Sequence, residues 1–452
     1  LILDVVSNLA STPIALIGTY QPAATIAYHH GQPVSQHAFL QQVMALAQQL
    51  PGDGLVINLC RNRYRFMLGF GAALVARSAS LLPPNRQPGT LDDIAEAYPR
   101  SVCLHDEPGD ASFAGLALPR IRVDGQQGLA IALSEAPLIA PGQLAAIATT
   151  SGSTGKPAAH NKYWFTLCGT ARLLARRLVK VGEHPITVAT VPSQHMYGLE
   201  MTVMMALQGG CVIDDGHPFY PPEIVDSLQR LPRPRTLVTT PIHLRHLLDS
   251  PLQMPPVDQL VSATAPLDQA LATAAETRFG GRLDEIFGFT EAGSIATRRS
   301  SVEQAWVLLD GMRVSCTNGR TSIRGWQLPA PERLQDLIES IDEQHFRYLG
   351  RAADMINVGG KRASLAELTQ KLLQIDGVID GVVFLPDSES SQRPAALVVS
   401  ELEERQIVAS LARSIDPVLL PRPIKKVGTI PRNATGKVTR DLLHRALRNC
   451  SE

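Results

Sequence analysis

The chain has 452 residues, 44% of them hydrophobic and 19% charged, a globular balance on a length that allows about three domains. Lys+Arg and Asp+Glu both number 42, so no net charge argues for a nucleic-acid or membrane-surface partner. No apolar run reaches membrane-spanning length, and Leu1-Ile2-Leu3-Asp4 puts no basic region ahead of an apolar stretch, which predicts no signal peptide. Six scattered cysteines without a CxxC pair predict buried free thiols in a reducing compartment, hence a soluble cytoplasmic protein.

In chain order, Ser35 can cap a helix that carries Phe39, Val43 and Leu46 on one face. Residues 55–59 read as a buried strand and 64–76 as a long helix. That helix holds Gly69-Phe70-Gly71, the opening of a dinucleotide fingerprint without its third glycine or its strand-to-helix turn, so close helix packing is expected there. A helix over 91–97 and a strand over 102–104 continue an alternation that argues for parallel α/β layers.

The apolar run 144–148 has strand length and leads into Thr149-Thr150-Ser151-Gly152-Ser153-Thr154-Gly155-Lys156-Pro157. Hydroxyls, closely spaced backbone N–H groups and one ammonium at a strand end suit a polyphosphate; a polar surface loop is the ordinary alternative. A Walker loop fits poorly, because two residues separate Gly152 from Gly155 and Lys156 is followed by Pro157. Helix 164–179 and strand 186–191 follow, then the loop Pro192-Ser193-Gln194-His195-Met196-Tyr197-Gly198. The next helix carries Leu199, Met201, Met204, Met205 and Leu207 as core and stops at Gly209-Gly210. A strand over 236–239, a helix opened by Pro241 and a strand over 260–262 come next. Between 312 and 323 the pattern turns antiparallel around Asn318-Gly319.

After Gly350-Arg351 the composition changes. Ser364 caps a helix through Leu373; strands over 378–385, 395–399 and 424–427 and helices near 401–414 and 438–447 complete a unit of domain size. The expected fold is α/β: a large N-terminal domain (1–350) of layered α/β subdomains with a small β-rich region, then a small mobile α+β domain (351–452).

Three further stretches carry chemistry. In Gly288-Phe289-Thr290-Glu291-Ala292-Gly293 an aromatic can stack on a base, a hydroxyl can meet a phosphate oxygen and a carboxylate can hold Mg²⁺; a solvated turn is the plain alternative. Gly350-Arg351-Ala352-Ala353-Asp354 and Gly359-Gly360-Lys361-Arg362 lie at the domain boundary, where a charged linker is equally ordinary. Pro431-Arg432-Asn433-Ala434-Thr435-Gly436-Lys437-Val438 is a second Gly-Lys loop, otherwise an exposed lysine.

Taken in order, these motifs resemble the adenylate-forming superfamily of acyl-CoA synthetases, peptide-synthetase adenylation domains and luciferases, over residues 144–440. The resemblance makes Thr149 to Lys156 the grip on the departing pyrophosphate. Ala263, Thr264, Ala265 and Pro266 with Gly288 and Phe289 become the adenine site. It implies that Thr290 meets the α-phosphate, Glu291 binds Mg²⁺, and Asp336 and Arg351 hold the ribose. Lys437 would bridge the acid carboxylate and the α-phosphate. His195 would stand between acyl pocket and nucleotide, with Tyr197 and residues 292–296 along the pocket. Between half-reactions the C-terminal domain would rotate, withdrawing Lys437 and bringing in Gly359 and Gly360 to guide a thiol.

This chain departs from the pattern at Leu334-Gln335 ahead of Asp336, at Ala353 in the hinge position and at Ala158-Ala159 after the phosphate loop. The function implied is an ATP-dependent ligase that adenylates a small aromatic or medium-chain carboxylic acid, with Mg²⁺, and passes it to CoA or to the phosphopantetheine of a separate acyl carrier protein. Lys361 and Arg362 would suit either acceptor. The other reading is a catalytically impaired nucleotide-binding scaffold of the same fold. No nucleic acid and no membrane are expected as partners.

Overall fold

The computed structural model describes residues 12–107, 116, 118–124, 133–150, 158–317, 320–351, 354–358, 361–386, 393–432 and 438–449. The chain forms two compact units, Leu1–Met312 with Arg324–Glu332, and Arg313–Ile323 with Arg333–Glu452.

Two sheets organise the first unit. One runs in the order Ala158–Tyr163, Leu144–Thr150, Ala79–Leu82, Leu55–Asn58, Val102–His105, Arg120–Arg122, parallel throughout except for the antiparallel edge strand Ala158–Tyr163. The other places Gln259–Ser262, Arg235–Thr239, Ile186–Ala189, Val212–Asp214 and Thr25–His29 side by side in parallel, with Arg282–Phe289 parallel to Gln259–Ser262. Gly293–Arg298 and Trp306–Leu308 extend it antiparallel beyond Arg282–Phe289, and Gln32–Ser35 closes the far edge. The central strands are buried almost throughout and rich in Val, Ile, Leu and Ala, as a sheet covered on both faces requires.

Local chemistry explains the helices. Ser35 accepts from Ala38 N at 3.1 Å and starts Gln36–Ala47, whose Phe39, Leu40, Val43 and Leu46 face inward. Asn62 caps Arg63–Val75 in the same way through Arg65 N, 3.1 Å. A Cβ on Gly69 would meet Leu104 Cδ1 at 2.7 Å and Asn58 Nδ2 at 2.8 Å, while one on Gly71 would lie 3.2 Å from Val43 Cγ2. The Gly-x-Gly pair is therefore a packing device inside a helix. Two features were not legible locally. Ala158–Tyr163 is a strand, and the methionine-rich helix starts earlier, at Met196, with a π-helical turn over Leu199–Met204.

Arg63 ties the two sheets together. Its side chain, in a residue 1% exposed, donates to the carbonyls of Ala189 (2.8 Å), Val191 (3.1 Å) and Gly216 (3.3 Å) and to the hydroxyls of Ser193 (3.0 Å) and Thr202 (3.4 Å). Burial lowers its pKa to about 10, against the opposing charges of Asp214 and Asp215, so it stays a cation at neutral pH.

The second unit carries the antiparallel pair Asp336–Ser340 with His345–Arg351, the hairpin Met355–Val358 with Lys361–Ser364, and a sheet of Val378–Phe384, Ala395–Ser400 and Ile424–Lys426. Leu365–Leu373 starts from Ser364, whose Oγ accepts from Ala366 N at 3.2 Å, and packs with Glu404–Leu411 over a core of Leu368, Leu372, Val398, Ile407 and Leu411. The α/β class with a smaller α+β unit is as expected. Cys60, Cys103, Cys168 and Cys211 are buried free thiols, whereas Cys316 is exposed. No described helix is long and apolar enough to cross a membrane.

The glycine packing makes a prediction. Gly69→Ala gains up to about 1 kcal/mol in helix propensity but forces a methyl onto two buried side chains, which costs about 1–3 kcal/mol. Thermal unfolding should show a lowered midpoint for Gly69→Ala and a near-neutral Gly71→Ala, with ATP affinity unchanged in both. A loss of ATP affinity at unchanged stability would restore the fingerprint reading.

Candidate functional site

The site in the first unit is built where parallel strands end, the position at which open α/β sheets place ligands. Ser262 stands opposite Glu285 on the neighbouring strand, so Ile286 to Phe289 run on past the turn that follows Ser262. In that turn Ala263 is buried and Thr264, Ala265 and Pro266 are exposed. Thr264 has φ 80°, left-handed backbone for a β-branched residue, a strain of about 1–3 kcal/mol. The turn is fixed from behind. Leu267 N donates to Glu285 Oε1 (3.2 Å), and Glu285 is held by Arg298 (2.7 Å) and Ser300 (2.6 Å). Burial raises the Glu285 pKa, opposed by the Arg298 charge and these hydrogen bonds.

Phe289 pairs with Gly293 across the hairpin, leaving Thr290, Glu291 and Ala292 as its connection. Gly288 is exposed; Phe289, Thr290 and Glu291 are half-buried. Gly293 has φ 76°, and a Cβ there would strike Glu200 Oε1 at 2.3 Å, so glycine is required on both counts. Beneath this connection lie two buried charges. Lys162, 5% exposed on the edge strand, donates its ammonium to the main-chain oxygen of Glu291. Glu200, 2% exposed in the π-helical turn, accepts from Ser294 N (3.1 Å) and Ser294 Oγ (2.5 Å). Burial lowers the Lys162 pKa and raises that of Glu200, while each one's charge counters the effect on the other.

Thr150 pairs with Ala158, so residues 151–157 connect two antiparallel strands. A Walker loop connects a strand to a helix, and the topology rules it out. Thr149 donates its hydroxyl to Leu82 O at 2.7 Å, inside the sheet. Ser151, Gly152, Ser153, Thr154, Gly155 and Lys156 lie outside the described residues, as do Ala353, Gly359, Gly360 and Lys437.

The loop bearing His195 follows strand Ile186–Ala189, and Arg63 holds it through Val191 O and Ser193 Oγ. His195 is half-buried and precedes Met196–Gly198. Tyr197 spends its hydroxyl on the carbonyls of Thr239 (3.1 Å) and Val261 (2.9 Å) at the ends of two neighbouring strands. Burial pushes its pKa well up, which keeps a neutral phenol there. Residues 292–296 are buried.

In the second unit Asp336 stands directly opposite Arg351 across the antiparallel pair, so the two proposed ribose contacts share one hairpin. Lys361 forms an ion pair with Asp416, and Arg432 donates from Nη2 to both carboxylate oxygens of Asp380 (2.7 and 2.9 Å), which anchors the chain just ahead of the Lys437 loop.

Sequence patterns missed Lys162, Glu200 and Arg63, whose partners are 129, 94 and 128 residues away. They also missed His29, His30 and Asp215, which stand close enough to suggest a metal. Asp215 Oδ2, however, already meets His29 Nδ1 (2.6 Å), His30 N (3.1 Å) and Asn62 Nδ2 (2.9 Å), and the Asp215 carbonyl accepts from Arg63 N (2.9 Å). This cluster is a clamp on the start of the Arg63 helix.

A family model described as AMP-binding enzyme matches residues 41–320. The chain belongs to this AMP-binding, adenylate-forming family, and its general chemistry is that of an ATP-dependent acid–thiol ligase. It is 30% identical over 298 residues to a 4-coumarate–CoA ligase of Halorhodospira halophila, covering 64% of this chain and 74% of that one. Over 311 residues it is 24% identical to a 3,4-dihydroxybenzoate–[aryl-carrier protein] ligase of Bacillus anthracis, covering 65% and 72%. ATP-bound MatB from Rhodopseudomonas palustris has the same fold, with TM-score 0.81 and 17% identity over 96% of this chain and 98% of that one.

The Asp215 clamp is pH-dependent. Burial alone would raise its pKa, but the hydrogen bonds from His29, Asn62 and His30 prevail and hold it at about 2. A carboxylate depressed from 3.8 contributes roughly 2 kcal/mol above its unfolded pKa, and this is lost as pH falls from about 4 through about 2. Asp215→Asn should lower the thermal midpoint at pH 7, and its deficit relative to wild type should shrink below pH 4. A constant deficit from pH 7 to pH 2.5 would show that the charge of Asp215 does not matter.

Proposed function

We propose that this ligase activates a small aromatic carboxylic acid and transfers it to the thiol of CoA or of a carrier protein's phosphopantetheine arm. One observation carries the reading: the Ala263–Pro266 turn and the Phe289-Thr290-Glu291 strand end lie at the same edge of adjacent parallel strands, with Lys162 joining them to the strand that leaves the phosphate loop. The two relatives act, by name, on 4-coumarate with CoA and on 3,4-dihydroxybenzoate with an aryl-carrier protein, which supports an aromatic acid and leaves both acceptors in view.

In the first step a carboxylate oxygen of the acid attacks the α-phosphorus. The bond from that phosphorus to the oxygen bridging to the β-phosphate breaks, and pyrophosphate leaves. Phe289 and the turn hold the adenine, Asp336 and Arg351 the ribose, Thr290 the α-phosphate, and the 149–156 stretch the departing pyrophosphate. Lys437 stabilises the charge developing between carboxylate and phosphate. Glu291 and the Thr290 hydroxyl are hard oxygen donors, and a single carboxylate beside substrate phosphates fits Mg²⁺. Held by Glu291 and Thr290, such an ion would neutralise phosphate charge. In the second step the thiol sulfur attacks the acyl carbonyl, the bond to the AMP oxygen breaks, AMP leaves and the thiol proton is released. Gly359 and Gly360 would line the thiol's approach after the C-terminal unit has turned. His195, Tyr197 and residues 292–296 flank the acid.

ATP–pyrophosphate exchange across a panel of aromatic and medium-chain acids tests this. Exchange should depend on an acid, be fastest with aromatic acids and fall about 10²–10³-fold in Lys437→Ala. Gly360→Leu should spare exchange and slow thioester formation. Supplying CoA, then a holo carrier protein, to the preformed adenylate identifies the acceptor. Absence of exchange with every acid, at intact ATP binding, would leave the impaired scaffold as the answer.

A further inference from the structure

We propose that Lys162 and Glu200 are positioning residues that aim Glu291 and Thr290 at the Mg²⁺–triphosphate, clamping the connection between Arg282–Phe289 and Gly293–Arg298 from both ends. The inference rests on the reading of Glu291 as the carboxylate facing the metal–nucleotide and adds two residues that act through the main chain on either side of it. The geometry is specific. Lys162 grips the carbonyl of Glu291 itself, and Glu200 grips both the amide and the hydroxyl of Ser294, three residues on. Between the two grips lie only Ala292 and Gly293, and Gly293 lets the Glu200 carboxylate approach to where a Cβ would stand.

An antiparallel hairpin needs neither charge in order to turn. Burying an ammonium and a carboxylate costs several kcal/mol per ion before pairing, so a connection with only a structural duty is better served by apolar packing. The two charges also come from separate parts of the chain. Lys162 sits on the strand immediately after residues 151–157, four places beyond Ala158. Glu200 sits in the π-helical turn that continues from His195 and Tyr197, and such turns occur frequently at functional sites. The connection bearing Glu291 is thus braced on one side by the phosphate-loop strand and on the other by the acid-pocket helix.

Outer-shell partners of a metal-facing carboxylate are worth about 10–100-fold in metal affinity or activity. The test uses the full chain and two readouts: ATP binding by calorimetry with saturating Mg²⁺ and with EDTA, and KM for Mg²⁺ and for the acid in pyrophosphate exchange. Lys162→Met should lose about tenfold or more of the Mg²⁺-dependent gain in ATP affinity. Its Mg²⁺-free affinity and its KM for the acid should stay within about twofold, and Lys162→Arg should recover most of the loss. Because Lys162→Met leaves Glu200 buried without its counter-charge, Lys162→Met/Glu200→Gln is measured beside it and should show the same Mg²⁺ defect at a higher thermal midpoint. Equal losses with and without Mg²⁺, or a lowered midpoint with unchanged Mg²⁺ dependence, would overturn the proposal. Glu291→Gln separates the two levels: if it leaves the Mg²⁺ dependence intact, the reading of Glu291 fails, whereas a defect in Glu291→Gln with none in the Lys162 variants refutes only the positioning role.

Discussion

A guanidinium with no route to water governs the architecture of the first unit. Arg63 enters from the capped end of a helix packed on one sheet and distributes its N–H donors over the strand ends of the other. Its charge persists because burial brings the pKa down only to about 10. Every acceptor it reaches must therefore stay in place, since a buried cation that loses its partners costs about 3–5 kcal/mol. Those acceptors include the residues that lead into the His195 loop. The position of a proposed active-site loop is thus set by a residue more than a hundred positions earlier, through electrostatics rather than apolar packing.

The same economy recurs around the arginine. Asp214 is raised to about 6, by burial first and by Asp215 second, while Asp215 is held at about 2 by three donors. His217, whose residue is exposed but whose ring is crowded by surrounding protein and by the Arg63 charge, is lowered to about 4 and so stays neutral. One strong anion, Asp215, faces the cation's helix, and the neighbours are pushed towards their uncharged forms. At neutral pH Asp214 and Asp215 set their charges against that of Arg63, which makes the burial of the cation sustainable.

Local patterns made the core and the caps legible. Ser35 and Ser364 cap the helices expected of them, Gly209 ends the methionine-rich helix, and Gly69 and Gly71 pack inside a helix. Each depends on neighbours within a few residues or on hydrophobic period. Ala158–Tyr163 escaped because Ala-Ala-His-Asn-Lys-Tyr has neither alternation nor β-branched residues; its strand character comes from pairing with Leu144–Thr150. The π-helical turn escaped because its apolar residues are buried all round, which leaves no period to read. The motifs themselves were readable by order and spacing, but what holds them was not. Lys162 to Glu291 and Glu200 to Ser294 are single polar contacts between distant segments, and one lysine in a strand or one glutamate in a helix ordinarily reads as a solvated surface group.

The phosphate-loop stretch shows how topology sharpens a motif. Hydroxyls, glycines and a lysine between residues 149 and 157 are compatible with several phosphate-binding geometries. A Walker loop uses the amides and dipole of the helix it opens, with the ligand at the helix N-terminus. Here the stretch is followed by a strand that turns back antiparallel on the one before it, Thr150 against Ala158. No helix starts there to supply a dipole, and proline at 157 costs no helical hydrogen bond because a strand follows. In the proposed reading, anion binding by such a connection would draw on its own amides, hydroxyls and Lys156, a grip suited to holding a leaving group rather than assembling a hydrolytic centre. The returning strand then places Lys162 against the main chain of Glu291, so the phosphate-loop hairpin and the hairpin bearing Glu291 share a buried contact. The proposed leaving-group grip and the proposed metal-facing carboxylate, joined in this way through Lys162, would form one structural element on which chemistry at the α-phosphate depends.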